Sequence, residues 1–312
     1  MIYTLTLNPA IDYVVRLPIL REGETNRAVS AEVQFGGKGI NVSCVLRELG
    51  TDSTALGFAA GFTGDALTTY LTDRGIRARF IRLPDGLTRI NLKLKTEAVG
   101  REETEINAAG PTVPPASLTA LLQELDTLTT GDFLVLAGSI PPSLPRDLYR
   151  RIMAQLAGRG IRFVVDAEGE ALTATLPYRP FLIKPNRAEL EGLAGRTLAT
   201  EDDLRSAAQA LQRAGAQNVL ISLGGDGALL LDESGAFHRA QAVRVAPVNT
   251  VGAGDSMVAG FLAGLADGYT GTQTDDHSSA YAHALRLGIA AGGATAASDR
   301  LADGASIRAL KE

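Results

Sequence analysis

Residues 249–264, NTVGAGDSMVAGFLAG, place a carboxylate directly after a Gly-Ala-Gly turn and just before an apolar run. If the apolar run is a helix, the N–H groups of Gly252, Ala253 and Gly254 point towards its amino-terminal side, where the helix dipole favours an anion. Burying a carboxylate costs free energy unless favourable interactions offset the cost, and the amino terminus of a helix provides such interactions. Asp255 is then either the N-cap of the helix or a base beside an anion hole. A cap does not require the Gly-Ala-Gly turn, which favours the base.

A second glycine-rich segment, GGKGIN at residues 36–41, precedes another predicted helix. Glycines allow a ligand to approach the backbone closely, and Lys38 and the helix amino terminus favour an anion. The segment is neither a Walker A loop, because Gly39 follows the lysine, nor a dinucleotide fingerprint, because no βαβ strand precedes it. The alternative is a simple glycine turn.

Two polar residues lie at ends of predicted strands. Asp12, in the segment NPAID, could accept hydrogen bonds from sugar hydroxyls, or it could close an Asx turn. Arg89, in the segment TRIN, could bind a phosphate through two parallel hydrogen bonds, although a surface role is the usual one for an arginine on a half-exposed strand.

Two further segments follow buried strands. In KPNRAE, Asn186 and Glu189 could orient the waters of a magnesium ion, which takes few protein ligands, or they could form a capping box. Local sequence favours the capping box. The segment SLGGDG, residues 222–227, predicts a hairpin turn or a glycine-rich edge against a nucleotide, and local sequence favours the hairpin.

The elements that position these residues alternate between apolar strands and helices after about residue 40. This pattern predicts a doubly wound α/β fold, with a mainly parallel sheet covered by helices on both faces. Two β-rich excursions, about 12–36 and 87–107, predict a small β-sheet lid. Ligands of such folds lie beyond the carboxyl ends of the strands, and the motifs follow strands as this rule requires.

Composition narrows the class of protein. The 312 residues carry a formal net charge of −5, which argues against general affinity for nucleic acid or for an anionic membrane. The single cysteine, Cys44, excludes a disulfide within the chain and a cysteine metal cluster, and the three histidines lack zinc-like spacing. The amino terminus has no signal-peptide pattern, so a cytoplasmic enzyme is expected.

Taken together, the motifs resemble the pfkB family of carbohydrate kinases, whose fold is ribokinase-like. GGKGINVS at 36–43 is similar to the amino-terminal family signature, and NTVGAGDSMVAGFL at 249–262 is similar to the carboxyl-terminal one. The resemblance covers nearly the whole chain and implies a single ribokinase-like domain over 1–312. Its core would comprise about 1–11, 37–86 and 108–312, and its lid would comprise the two excursions.

The resemblance implies a role for each motif. Asp255 would take the proton of the attacking hydroxyl, while the N–H groups of Gly252, Ala253 and Gly254 steady the transferring phosphoryl group. The implied sugar-phosphate contacts are Asp12, Gly37, Lys38, Asn41, Arg89 and Ser139, with Arg27 reaching a phosphate, in its own subunit or a partner subunit. The implied ATP contacts are Lys184, Ser222, Gly224 and Gly227, and the implied magnesium residues are Asn186 and Glu189.

The resemblance is strongest to family members that phosphorylate fructose 1-phosphate, with kinases of tagatose 6-phosphate next. It therefore implies ATP- and Mg²⁺-dependent conversion of fructose 1-phosphate to fructose 1,6-bisphosphate by a homodimer that associates through the lid. Tagatose 6-phosphate and fructose 6-phosphate are the alternative substrates. A non-catalytic sugar-phosphate sensor is the alternative of another class, and a Rossmann dehydrogenase is disfavoured because no G-x-G-x-x-G follows the first core strand.

Overall fold

The computed structural model describes residues 1–96, 103–270 and 277–311, so residues 97–102 of the predicted lid lie outside the described residues. In chain order, the strands are β1 (Ile2–Thr6), β2 (Ala10–Leu17), β3 (Ser30–Gly36), β4 (Ser53–Ala59), β5 (Arg77–Arg82), β6 (Arg89–Thr96), β7 (Glu103–Ile106), β8 (Phe133–Ala137), β9 (Arg162–Asp166), β10 (Leu182–Ile183), β11 (Asn218–Ser222), β12 (Ala228–Leu231) and β13 (Phe237–Ala240). The helices are α1 (Lys38–Glu48), α2 (Gly61–Asp73), α3 (Pro115–Leu125), α4 (Leu148–Gln155), α5 (Glu170–Thr173), α6 (Arg187–Ala194), α7 (Glu201–Arg213), α8 (Ala253–Thr270), α9 (His277–Ala296) and α10 (Gly304–Ala309).

The large sheet has nine strands in the order β13-β12-β11-β10-β9-β8-β1-β4-β5. The seven strands from β11 to β5 are parallel, and β12 and β13 add an antiparallel edge. The chain winds outward from β1 in both directions, so the order of the strands reverses there. In sheets of this kind a ligand crevice lies outside the carboxyl ends of the strands at that switch point.

Both faces of the large sheet are covered. Along β8, Leu134 and Leu136 belong to the apolar cluster that includes α3, α4 and α7, whereas Val135 and Ala137 belong to the cluster formed with α1, α8 and α9. Successive side chains of a strand point to opposite faces, so a continuous apolar strand requires cover on both sides. The predicted mainly parallel sheet between helices is confirmed. Within the described residues, no helix is long and apolar enough to cross a bilayer.

The smaller sheet has four strands in the order β3-β2-β6-β7, where β2 and β6 are parallel and the other two pairs are antiparallel. We call this sheet the lid. All four strands come from the two β-rich excursions, so the predicted second, smaller sheet is also confirmed. The exact division of one domain into core and lid at the stated bounds stays a prediction.

Candidate active site

A cavity of about 860 Å³ lies beyond the carboxyl ends of β1, β8, β9, β10 and β11, and the lid forms one of its walls. It brings together most of the residues that the sequence singled out. Those residues are Asp12, Gly37, Lys38, Asn41, Arg89, Ser139, Lys184, Asn186, Glu189, Ser222, Gly252, Gly254 and Asp255. Residues far apart in the chain therefore share one chamber, as the switch-point rule requires.

Four predicted residues are not among those that line the cavity: Arg27, Ala253, Gly224 and Gly227. Arg27 is exposed in the segment between β2 and β3. Gly224 begins the short 3₁₀ turn between β11 and β12, so the hairpin interpretation of SLGGDG is right. A Cβ at Gly227 would stand 2.1 Å from the carbonyl oxygen of Ala240, which explains why this position is glycine without reference to a ligand.

Asp255 lies in the first turn of α8, which begins at Ala253, so its interpretation as the N-cap is wrong. Its side chain is 6% exposed, on the wall of the cavity. Asn41, on α1, donates a hydrogen bond from Nδ2 to Asp255 Oδ2 at 2.7 Å. The carboxylate is therefore fixed by a residue that the family resemblance assigned to the sugar phosphate.

The surroundings of Asp255 keep its proton affinity high. Burial is the main cause, and the nearby charge of Asp166 adds to it; together they raise the pKa of Asp255 to about 7. The hydrogen bond from Asn41 and the charges of Lys38 and Lys184 act in the opposite direction. A carboxylate with a pKa near neutrality suits a general base at physiological pH.

The turn before Asp255 is shaped by glycine. Gly252 has φ 80°, and a Cβ there would lie 2.7 Å from Leu301 Cδ2, so a larger residue would have to displace its neighbour. Gly252 and Gly254 line the cavity. The N–H of Ala253 donates to the carbonyl of Thr250 at 3.2 Å, so this one of the three predicted anion-hole groups already has a partner within the turn.

Asp166, at the end of β9, joins the two lysines of the cavity. Its Oδ1 lies 3.3 Å from Lys38 Nζ and 3.4 Å from Lys184 Nζ. Burial lowers the pKa of Lys38, but the charges of Asp166 and Asp255 outweigh it, and the net shift is upward. Asp166 is only 1% exposed, and its buried Oδ2 has no hydrogen-bond partner in the protein. Two ammonium groups are thus held on one wall of the cavity, where they favour an anion.

Asp166 was not among the site residues predicted from the sequence. The only local signal was an aspartate ending the apolar run FVVD, at the edge where ligands of parallel sheets bind. Asn91 was not predicted either, although it lies in the segment TRIN. Asn91 lines the cavity and donates from Nδ2 to Asp12 Oδ1 at 2.8 Å.

Arg89 extends from the lid into the cavity. Its Nη1 donates to the carbonyl of Ala108 at 3.2 Å, whereas its buried Nε has no hydrogen-bond partner in the protein. Burial lowers the pKa of Arg89, and the charge of Asp12 opposes that effect. A half-buried guanidinium with a free donor is suited to an anionic ligand, because a charged donor that remains unpaired is costly.

Asn186 and Glu189 form the capping box of α6. The Asn186 side chain accepts from the Glu189 N–H at 2.8 Å, and Glu189 Oε2 accepts from the Asn186 N–H at 3.0 Å. The capping interpretation is therefore right, yet both side chains also line the cavity. Within the described part of the chain, no group of three or more histidine, cysteine or acidic side chains could enclose a metal ion.

Known proteins resemble this chain over nearly its whole length. Residues 1–304 match the model of the pfkB family of carbohydrate kinases. The 1-phosphofructokinase of Bacillus subtilis is 41% identical over 301 residues, covering 96% of this chain and 94% of the relative. The D-tagatose-1-phosphate kinase of Bacillus licheniformis is 35% identical over 304 residues, covering 97% and 95% respectively.

Solved structures agree in fold. Phosphofructokinase-2 from Escherichia coli, determined in complex with substrates and products, superposes with a TM-score of 0.89 at 32% identity, covering 99% of this chain and 98% of that one. The same protein has also been solved in a tetrameric inhibited form, with a TM-score of 0.87.

Proposed function

The chain belongs to the pfkB family of carbohydrate kinases, and from this premise we propose that it transfers the γ-phosphoryl group of ATP to fructose 1-phosphate, forming fructose 1,6-bisphosphate. The observation that carries the proposal is the setting of Asp255. A buried carboxylate with a pKa of about 7 lies in the first turn of a helix. The same cavity holds two lysines, Lys38 and Lys184, that are both ion-paired with Asp166. Base, anion site and cations are the parts that phosphoryl transfer needs, because its catalysis depends on positioning and charge stabilisation.

In this proposal, the Asp255 carboxylate receives the proton of the acceptor hydroxyl as that oxygen attacks the γ-phosphorus. The bond between the γ-phosphorus and the oxygen that bridges it to the β-phosphorus breaks, and ADP leaves. Asn41 holds the carboxylate in place through its 2.7 Å hydrogen bond. The N–H groups of Gly252 and Gly254, at the amino terminus of α8, stabilise the charge on the transferring group, whereas the N–H of Ala253 is bonded to Thr250. Lys38 and Lys184 add positive charge from the neighbouring wall.

The sugar phosphate is assigned to the lid side of the cavity. Asp12 accepts from its hydroxyls, and Arg89 binds its phosphate with the donor that lacks a protein partner. Gly37, Lys38, Asn41 and Ser139 complete this side, all of them on the cavity wall. ATP is assigned to Lys184 and Ser222, with the turn at Gly224 to Gly227 beside the nucleotide.

The substrate is tested by measuring ADP release with fructose 1-phosphate, tagatose 1-phosphate, tagatose 6-phosphate and fructose 6-phosphate at equal concentration. We expect the highest kcat/KM for fructose 1-phosphate. Tagatose 1-phosphate is included because the relative from Bacillus licheniformis is a kinase of that sugar phosphate. Faster turnover of any other acceptor, with negligible turnover of fructose 1-phosphate, would contradict the proposal.

The donors present fit a magnesium ion. Asn186 and Glu189 offer oxygen ligands on the wall of the cavity without forming a closed cage, and Mg²⁺ commonly keeps several waters and is bound by few carboxylates together with substrate phosphates. When bound, the ion would neutralise charge on the ATP phosphates. Glu189 would hold it or its waters, and Asn186 would orient Glu189 through the 2.8 Å bond from its Nδ2 to Oε1.

Glu189→Gln is expected to raise the Mg²⁺ concentration for half-maximal rate about 10–100-fold, the usual scale for perturbing the surroundings of a metal. The measurement is the initial rate against free Mg²⁺ at saturating ATP. Glu191→Gln is the matched control, because Glu191 lies on the same helix and accepts from the Leu198 N–H at 2.9 Å. An equal Mg²⁺ response in the two variants would remove Glu189 from this role.

We also assign a homodimer interface to the outer face of the lid, and a cytoplasmic location to the enzyme. Tyr13 lies opposite Val33 on one side and Leu92 on the other, and Leu92 lies opposite Ile106, so one apolar row crosses all four strands. Val33, Tyr13 and Ile106 are 47%, 40% and 57% exposed. A contiguous exposed apolar patch of this kind usually marks an interface, and Arg27, which is exposed on the segment between the lid strands β2 and β3, could reach the cavity of a partner.

Val33→Lys is expected to convert the dimer to a monomer, because a charge at the centre of an apolar interface is costly to bury. Sedimentation velocity measures the change. Val248→Lys is the control and should stay dimeric, because Val248 is an apolar residue that is 56% exposed but follows β13, outside the lid. A monomeric parent protein would overturn the interface.

A further inference from the structure

Lys93 carries a buried charge on the cavity-facing side of the lid. Its side chain is 9% exposed. An ammonium group in such a position requires compensation, and two carboxylates provide it: Asp12 Oδ2 at 3.5 Å and Glu105 Oε1 at 3.4 Å from Lys93 Nζ. The ion pairs join three neighbouring strands, β2, β6 and β7.

The register explains why these groups meet. Asp12 pairs with Asn91 across β2 and β6, and Lys93 pairs with Glu105 across β6 and β7. Asn91 and Lys93 are two residues apart on one strand, so their side chains share the face that lines the cavity. Asn91 Nδ2 donates to Asp12 Oδ1 at 2.8 Å, and Lys93 attracts the other oxygen.

Asp12 is therefore held from two sides while it stays open to a ligand. A carboxylate has about four lone-pair sites. Asn91 takes one of them on Oδ1, and Lys93 Nζ is ion-paired with Oδ2 at 3.5 Å. Gly36 keeps the approach clear, because a Cβ at that position would lie 3.2 Å from Asp12 Oδ2. Because Asp12 lines the cavity, its remaining lone pairs are available to a ligand there.

We propose that Lys93 is a positioning residue for the sugar-phosphate acceptor, acting through Asp12. It holds the Asp12 carboxylate in place so that its free lone pairs accept hydrogen bonds from the hydroxyls of a polyhydroxy phosphate. The inference rests on the proposed kinase function and adds a specific residue to it. Lys93 itself does not touch the acceptor.

The lid supplies a matched control. Lys95 Nζ lies 3.4 Å from Glu103 Oε2, on the same strands and the same face. Lys95 lies four residues, about 13 Å, beyond the position opposite Asp12. Removing either lysine breaks an ion pair between β6 and β7, but only Lys93 reaches Asp12.

The experiment compares Lys93→Met with Lys95→Met. Lys93→Met is expected to raise KM for fructose 1-phosphate about 10–100-fold, the scale of a lost charged hydrogen bond, while KM for ATP changes less than about twofold. Lys95→Met should change neither KM. Binding of fructose 1-phosphate without ATP, measured by calorimetry, should weaken by the same factor in Lys93→Met, and thermal unfolding shows that both variants fold.

A double-mutant cycle separates positioning from a general effect on the lid. If Lys93 acts through Asp12, adding Lys93→Met to Asp12→Asn should change KM little beyond the single Asp12→Asn change. Lys93→Arg, which keeps the charge, should recover part of the loss. Fully additive effects, or equal KM changes in the two lysine variants, would overturn the inference.

Different results would contradict the proposed substrate and the positioning role of Lys93. A parent enzyme that turns over fructose 1-phosphate, with an unchanged Lys93→Met variant, contradicts only the role of Lys93. A parent enzyme that neither binds nor phosphorylates fructose 1-phosphate contradicts the proposed substrate, and the positioning role falls with it.

Discussion

Asp255→Asn is expected to lower kcat about 10²–10⁴-fold, the usual contribution of a positioned general base, while binding of ATP and fructose 1-phosphate persists. The substitution removes the proton acceptor and keeps the size of the side chain. It also keeps an oxygen that can accept the 2.7 Å hydrogen bond from Asn41. The helix amino terminus and the two lysines remain, so the anion site is preserved.

Steady-state kinetics and calorimetric titration with each substrate measure the effect. Asp73→Asn is the matched control, because Asp73 is an exposed carboxylate at the end of α2, away from the residues that line the cavity. Its kcat should equal that of the parent. Unchanged turnover in Asp255→Asn would remove Asp255 from its role as base.

The same measurements separate a kinase from a sensor. A non-catalytic sugar-phosphate sensor would bind fructose 1-phosphate tightly and release no ADP in the parent protein. The pKa of Asp255, raised to about 7 mainly by burial, favours the kinase, because binding alone does not require a carboxylate tuned towards neutrality.

The fold, and the edge of the sheet at which the candidate site lies, could be predicted from local sequence. Apolar strands such as 132–138 and 161–167 indicated a parallel sheet, and the topology of such a sheet brings the ends of its strands together. The glycine-rich turns at Gly37 and Gly252 were visible because positive φ angles, 127° and 80°, are accessible mainly to glycine.

The pairings inside the site could not be predicted in this way. The contact of Asn41 with Asp255 spans 214 residues, and that of Lys38 with Asp166 spans 128. Neither periodicity nor turn chemistry carries information about which side chains meet across two elements. Lys93 meets Asp12 because of the β2–β6 register, which was not predicted.

Some motifs allowed either a local structural role or a role in the site, and the structure distinguishes between them differently in each case. Gly227 is explained by its contact with the carbonyl of Ala240, so its glycine carries no evidence for a nucleotide. Asn186 and Glu189 form a capping box and also line the cavity. A local structural role and a place in the site are thus compatible, and one does not exclude the other.

Asp166→Asn is expected to lower kcat/KM about 10²-fold at the pH optimum, because Lys38 and Lys184 lose their shared carboxylate and move apart. Displacement of catalytic groups by about 1 Å has an effect of this size. Breaking a buried ion-pair network by removing one partner also lowers the free energy of unfolding, by about 3–5 kcal/mol. The matched control is Asp132→Asn. Asp132 is a buried carboxylate at the opposite end of β8, paired with the amino terminus at 3.0 Å.

The pH profile distinguishes an effect on the site from a loss of stability. The acid limb of kcat/KM reports the pKa of the base in the free enzyme, so the parent should lose activity as the pH falls through about 7. The charge of Asp166 raises the pKa of Asp255, whereas Lys38 and Lys184 lower it. Asp166→Asn removes the negative charge that raises this pKa and leaves both lysines charged, so its acid limb should move to lower pH. Asn41→Ala removes a hydrogen bond that lowers the pKa of Asp255, so its acid limb should move to higher pH.

The control variant, Asp132→Asn, should be less stable than the parent but should keep the acid limb of the parent. An acid limb that also stays in place in Asp166→Asn would show that Asp166 does not act on the base.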